Sequence, residues 1–261
     1  MAQDHASTST PARIALVTGG SRGLGRAAAL HLARQGHDVL LTYRSAADEA
    51  AAVVAQIQAL GRQAAALSLD MADAASFGAF AERVQATLAS QFGREGFDLL
   101  LNNAGVGAHA TVAETTEAQF DQLFAVHLKG VFFLTQRLLP LLADGGRILN
   151  VSSGLTRFTF PGYGAYAAMK GGVEVLTRYL AKELAPRGIT VNTVAPGAVE
   201  TDFGNGAVRD NAQLNAAIAA QTALGRVGLP DDIGAAVALL AAPGSGWITG
   251  QRVEVSGGMV L

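Results

Sequence analysis

Short apolar runs alternate with longer amphipathic segments along almost the whole chain, and this alternation excludes most folds before any motif is read. Candidate strands fall at residues 13–18, 38–43, 63–69, 97–101, 147–151, 189–194 and 252–255. Candidate helices fall between them at 23–35, 46–60, 73–90, 117–139, from Tyr166 to near residue 184, and at 230–241. Strands that take turns with helices imply βαβ units and a parallel sheet. The runs Ile14-Ala15-Leu16-Val17 and Leu99-Leu100-Leu101 are apolar at every position, as expected of strands covered on both faces. The expected fold is α/β: a single-domain Rossmann fold over residues 13–261, with a doubly wound, parallel, seven-stranded sheet and helices on both faces. Residues 1–12 are small and polar, without the basic start and apolar run of a signal peptide, and read as a flexible leader.

Composition narrows the function classes. The 261 residues, half of them hydrophobic, suffice for one large buried core. Charged residues are 15% and the formal net charge is −2, so no basic excess points to nucleic acid or to a membrane surface. No apolar segment is long and charge-free enough to span a bilayer. The chain has no cysteine, which excludes disulfides, thiolate nucleophiles and zinc–thiolate sites and fits a cytoplasmic protein. His5, His31, His37 and His109 show no metal-ligand spacing and read as surface or packing residues; no metal is expected.

Two motifs carry chemistry. Thr18-Gly19-Gly20-Ser21-Arg22-Gly23-Leu24-Gly25 follows the first strand and opens a helix. At such a place a dinucleotide pyrophosphate meets free backbone N–H groups and the positive helix end. The spacing is G-x-x-x-G-x-G, unlike the general dinucleotide fingerprint, and it lacks the lysine of a P-loop. The second motif pairs Tyr166 with Lys170 at i and i+4, on one helix face. A cation beside a phenol favours the phenolate, so a lowered tyrosine pKa is expected, making Tyr166 a proton donor or acceptor near neutral pH. The alternative is that the pair is only a helix-surface contact.

Through these motifs the chain resembles the short-chain dehydrogenase/reductase (SDR) family from Arg13 to Leu261. The glycine turn, Asn102-Asn103-Ala104-Gly105, Ser153, the Tyr166/Lys170 pair and Pro196-Gly197 occur in the family's order. The resemblance implies that Ser153 hydrogen-bonds the substrate carbonyl oxygen while Tyr166 delivers or removes the proton. Lys170 would hold the nicotinamide ribose, and Ser152 and Tyr163 would be decoys. It implies a cofactor site made of Gly19, Ser21, Arg22, Gly23, Leu24, Gly25, Arg44, Asp70, Met71, Asn102, Asn103, Ala104, Gly105, Tyr166, Lys170, Pro196, Gly197, Val199 and Thr201. Asp70 could instead cap the next helix, for which Asp73 is better placed. In one place the sequence departs from the family: His127 stands where the family usually has an asparagine, read either as a tolerated substitution at a helix kink or as a proton-shuttling histidine.

The second strand ends in Thr42-Tyr43-Arg44-Ser45. No carboxylate is there for a ribose 2′-OH, whereas Arg44 and Arg22 offer planar cations for a 2′-phosphate, so the expected cofactor is NADP(H). The alternative is that both arginines are merely solvated. The resemblance implies reduction of a ketone or aldehyde of a small substrate, with Phe158, Phe160 and Phe203 hinting at an apolar one. Residues 200–222 would form a lid, and a homotetramer is implied. A 3-oxoacyl-carrier-protein reductase is the nearer alternative. Against it, the turn before strand five reads Ala143-Asp144-Gly145-Gly146, although Arg147 and Arg187 are close by. A non-catalytic NADP(H)-binding sensor is the alternative from another class.

Overall fold

The computed structural model describes residues 12–261; the expected leader, with His5, lies outside the described residues except for residue 12. Seven strands form one parallel sheet: β1 (Ile14–Val17), β2 (Asp38–Tyr43), β3 (Ala64–Ser68), β4 (Phe97–Asn102), β5 (Leu142–Val151), β6 (Thr190–Pro196) and β7 (Arg252–Val255). Their spatial order is β3-β2-β1-β4-β5-β6-β7, with every neighbouring pair parallel. The helices are α1 (Gly23–Arg34), α2 (Ala47–Ala59), α3 (Phe77–Thr87), α4 (Glu117–Phe124), α5 (Gly130–Leu138), α6 (Gly164–Leu184), α7 (Ala207–Asp210), α8 (Ala212–Ala220) and α9 (Pro230–Ala241). The expected α/β architecture is what folds.

Why every residue of β1 is apolar becomes clear from the layers. Ala15 and Val17 face a core built with Leu32 of α1, Val53 of α2 and Val237 of α9. Ile14 and Leu16 face the opposite core, with Phe80 of α3, Leu134 of α5 and Leu184 of α6. All four β1 side chains are fully buried, and burying each of the larger ones contributes on the order of 1.5–3 kcal/mol. The chain leaves β1 toward β2 on one side and reaches β4 on the other, so a crevice opens above the carboxyl ends of β1 and β4.

Two elements differ from expectation. β5 begins at Leu142 rather than near 147, because its pairing with β4 slips between Phe97 and Leu99. The inserted Ala-Asp-Gly-Gly stretch loops out as a bulge with Gly145 at φ 73°, and a bulge carries no apolar signature. The expected helix at 117–139 is segmented. Thr116 caps α4, its hydroxyl accepting from the Gln119 N–H while the Gln119 side chain accepts from the Thr116 N–H, the reciprocal pattern that fixes a helix start. A π-helical turn, Ala125–Lys129, then separates α4 from α5. Such turns displace side chains relative to a regular helix, and this one carries His127.

Candidate active site

The carboxyl ends of the strands gather the expected residues. After β1 the Gly20 N–H donates to the Thr42 carbonyl at 2.8 Å and the Gly19 N–H to Thr42 Oγ1 at 3.1 Å. A side chain on Gly25 would place its Cβ 2.1 Å from the Gly19 carbonyl oxygen, and Gly19 itself sits at φ 66° against Ala104. Both positions therefore require glycine. Ser21 is buried, Leu24 is half-buried and Arg22 is exposed at the start of α1. Arg44 is exposed at the end of β2, and among the described residues neither arginine is in an ion pair. A Cβ added to Gly23 would lie 3.7 Å from the Thr201 methyl group, so the glycine turn faces the segment that leaves β6 at Pro196 and runs through Gly197 and Val199.

Several expected cofactor residues serve the protein first. Asn102 is buried, and its amide donates to Asn150 at 2.8 Å and Thr135 at 3.0 Å. Asn103 donates to the Thr18 and Gly19 carbonyls at 2.9 and 3.2 Å. The two asparagine side chains thus brace β4, β5 and the turn through their amide nitrogens. Met71 is buried in the core. Asp70 is exposed and accepts from the Ala72 N–H at 2.9 Å, whereas the Asp73 side chain caps nothing, contrary to the expected assignment of the cap.

Ser153 follows β5 in extended conformation, and its hydroxyl oxygen accepts from the Leu155 N–H at 3.2 Å, which leaves the hydroxyl proton free to donate. Ser152 points the other way, to Glu174 at 2.7 Å, as alternation at a strand end requires. Tyr166 and Lys170 sit on the buried face of α6. Lys170 Nζ lies 5.7 Å from the centre of the Tyr166 ring and donates to the Val151 carbonyl at 2.7 Å.

The expected lowering of the Tyr166 pKa is not what this geometry produces. Burial pushes the phenol above its ordinary value, with the Ser153 hydroxyl pulling weakly the other way. The same burial brings the Lys170 ammonium down to about 8. The i, i+4 spacing correctly predicts a shared face. It carries no information on dehydration, which dominates when both groups are enclosed and the amine is aimed at a carbonyl.

His127 is fully buried. Its Nε2 lies 2.7 Å from the Val106 carbonyl oxygen and 3.3 Å from the Val106 nitrogen; the shorter contact, to an oxygen that can only accept, favours the proton on Nε2, and Nδ1 has no protein partner. Its ring meets Tyr166 edge-on at 5.2 Å between centres. Burial, then Lys170, holds its pKa down at about 3, so the imidazole is neutral at physiological pH and props the Gly105–Val106 backbone. Of the three phenylalanines expected at the pocket, Phe203 packs against Tyr166 at 5.6 Å between ring centres; Phe158 fills the space at Gly154 and pairs with Phe160. His109, expected as a surface or packing residue, is exposed, stacks edge-on with Tyr163 at 5.0 Å and packs against Gly162; spacing alone did not name these partners. A separate hollow of about 480 Å³, lined by residues 93–96 and 140–143, lies at the amino ends of β4 and β5, away from this chemistry.

A profile described as Enoyl-(Acyl carrier protein) reductase matches residues 19–260. The chain is 40% identical over 249 residues to the Staphylococcus aureus 3-oxoacyl-[acyl-carrier-protein] reductase FabG, covering 95% of this chain and 98% of that one. It belongs to the short-chain dehydrogenase/reductase family. An uncharacterized oxidoreductase of Methylorubrum extorquens is 39% identical, covering 95% of this chain and 97% of that one. Among solved structures, the promiscuous reductase LugOII, which catalyses keto-reduction at C1 in lugdunomycin biosynthesis, superposes with a TM-score of 0.91 at 40% identity, over 96% of this chain and 99% of that one. The angucycline C-6 ketoreductase LanV, solved with bound NADP, gives 0.89 at 37% identity, over 95% of both chains. This SDR is accordingly an oxidoreductase. No described helix is long and apolar enough to cross a membrane, and no group of His, Cys, Asp or Glu among the described residues could hold a metal ion.

Proposed function

We propose that this SDR reduces a ketone or aldehyde of a small, apolar substrate to the alcohol, using NADP(H), in the cytoplasm. The observation that carries the reading is the convergence of Ser153, Tyr166 and Lys170 at one strand-end crevice beside a turn whose Gly19 and Gly25 admit no side chain. That turn suits a phosphorylated dinucleotide: it offers backbone N–H groups and a helix start, with Arg22 and Arg44 exposed and unpaired for a 2′-phosphate. Residues of the turn, Ala104, Gly105, Lys170, Pro196, Gly197, Val199 and Thr201 would hold the cofactor, which when bound supplies the hydride. Ser153 and Tyr166 aim O–H groups at the oxygen on which charge develops. A phenol raised by burial keeps its proton at physiological pH, and that is the form needed by a donor in the reducing direction. The Lys170 ammonium, easily deprotonated for a lysine, can pass a proton toward Tyr166.

The substrate preference rests on Phe203, whose ring packs against Tyr166 from the segment 200–222, the proposed lid. Three successive residues there, Gly204, Asn205 and Gly206, take positive φ, a backbone suited to a hinge. The proposed homotetramer is supported by exposed apolar side chains on α4, α5 and α6, including Phe120, Phe124, Phe132, Phe133 and Tyr179, and by Trp247 and Leu261 at 99% and 94% exposure. The likeness to FabG favours a second reading, a carrier-protein substrate. The nearby cations speak against it: Arg147 is buried on Ser245 and the Ala242 carbonyl, and Arg187 is held by Asp144.

The test is a panel of ketones and aldehydes, free and carrier-linked, assayed with NADPH and NADH, comparing the native protein with Tyr166→Phe. Reduction of free carbonyls with NADPH preferred, and a fall in kcat of roughly 10²–10⁴-fold in the variant, are expected. Undiminished turnover in Tyr166→Phe would remove the tyrosine from the mechanism.

A further inference from the structure

We infer that Glu174 and Arg252 are positioning residues for Ser153, forming a charged clamp that ties the serine's turn to β7 and the C-terminal tail; this rests on the Ser153 role proposed above. The Glu174 Oε1 atom accepts from the Ser152 hydroxyl at 2.7 Å, from Thr156 Oγ1 at 2.7 Å and from Arg252 Nε at 2.8 Å. Ser152 and Thr156 flank Ser153 in the chain, so one carboxylate oxygen grips the turn on both sides of it. The remaining handle is the Ser153 backbone: its carbonyl oxygen accepts from Arg252 Nη2 at 3.3 Å and, at 2.8 Å from Thr156 Oγ1, shares that hydroxyl's single proton with Glu174. Backbone position is thereby set while the Ser153 hydroxyl stays free of the clamp.

The clamp does not end at Arg252. Its Nη1 donates to Glu254 at 2.9 Å. Arg157, one residue beyond Thr156, meets both oxygens of Glu254 at 2.7 Å and donates to the Met259 and Val260 carbonyls at 2.6 and 2.9 Å. A two-oxygen arginine–carboxylate fork is directional. The turn after β5, the face of α6 one helical turn beyond Lys170, β7 and the tail therefore move as one body. The Glu174 and Arg252 side chains are largely shielded, at 14% and 23% exposure, where solvent screening is weaker than at an open surface. None of these groups touches the glycine turn in the bonds described. The clamp thus serves the serine side of the site, and a small displacement of a donor aimed at a developing charge is costly to rate.

The experiment is a double-variant cycle with Ser153→Ala and Arg252→Met, read by kcat on a reducible ketone, by NADPH affinity from its fluorescence, and by melting temperature. Arg252→Met should lower kcat by about tenfold with NADPH affinity within roughly twofold, and should cost no further rate in the Ser153→Ala background. Arg252→Lys, keeping the charge but not the three separate donors to Glu174, Glu254 and the Ser153 carbonyl, should recover only part of the loss. If Arg252→Met does not fold, Glu174→Gln, of the same shape, carries the same cycle. An equal loss in both backgrounds, or a loss of NADPH affinity matching the loss of rate, overturns the clamp as a positioning device. Undiminished turnover in Ser153→Ala alone instead overturns the serine's role, and the clamp inference with it.

Discussion

The glycine turn and the segment 200–222 both border the crevice, yet they are held in opposite ways. The turn is fixed by backbone hydrogen bonds to Thr42, by the Asn103 amide and by contacts too close for any Cβ. In the other segment, α8 buries no residue, and the stretch before it is tied by exposed ion pairs of Arg209 with Asp202 and Asp210. Contacts among solvated side chains break and re-form readily, whereas buried backbone bonds do not. The difference matches the roles proposed for them, a preformed nucleotide cradle and a cover that moves.

The contrast is breakable, most severely at the turn. Gly25→Val forces carbon into the Gly19 carbonyl; overpacking of roughly 3 kcal/mol would reduce NADPH affinity by about 100-fold, read by titration calorimetry. An intact affinity would mean that the turn yields as the cover does.

Between the two regions stands His127, propping the Gly105–Val106 backbone. With a folded pKa of about 3 against an ordinary 6.5, the unfolded chain binds the extra proton between those values, so stability falls as pH drops below 6.5 and rises with pH through that window. At pH 5 this costs roughly 2 kcal/mol. His127→Asn should remove that share of the acid sensitivity, measured by denaturant unfolding at pH 7 and pH 5. If the variant loses as much stability on acidification as the native protein, the buried neutral imidazole is refuted.

The smallest effect belongs to the cover. Arg209→Ala should leave the melting temperature unchanged and shift KM for the carbonyl substrate by roughly two- to threefold, with NADPH affinity constant. A large drop in melting temperature would show that the segment is structural rather than a lid.

Much of this was legible along the chain. The doubly covered strands announced themselves through runs such as Leu99-Leu100-Leu101, and the tight turn between β1 and α1 followed from glycines placed between a strand and a helix. Other features left no trace in the pattern. The bulge ahead of Arg147 looks like an ordinary loop. Asn102 could be read either as a ligand contact or as a tie between strands, and only the folded structure names Asn150 and Thr135 as the partners of its amide. His109 acquires its place beside Tyr163 only through the folding of distant segments.

Periodicity and spacing are local quantities, so the order of elements, the parallel sheet, the glycine-rich strand-to-helix turn and the shared face of Tyr166 and Lys170 could all be read from the order of residues. Ionisation and side-chain orientation are sums over everything that surrounds a group. The protonated state of Tyr166, the neutral imidazole of His127 and the clamp that joins Glu174 to Arg252 were therefore settled by three-dimensional packing, which brings together residues far apart in the chain and decides how much water each retains.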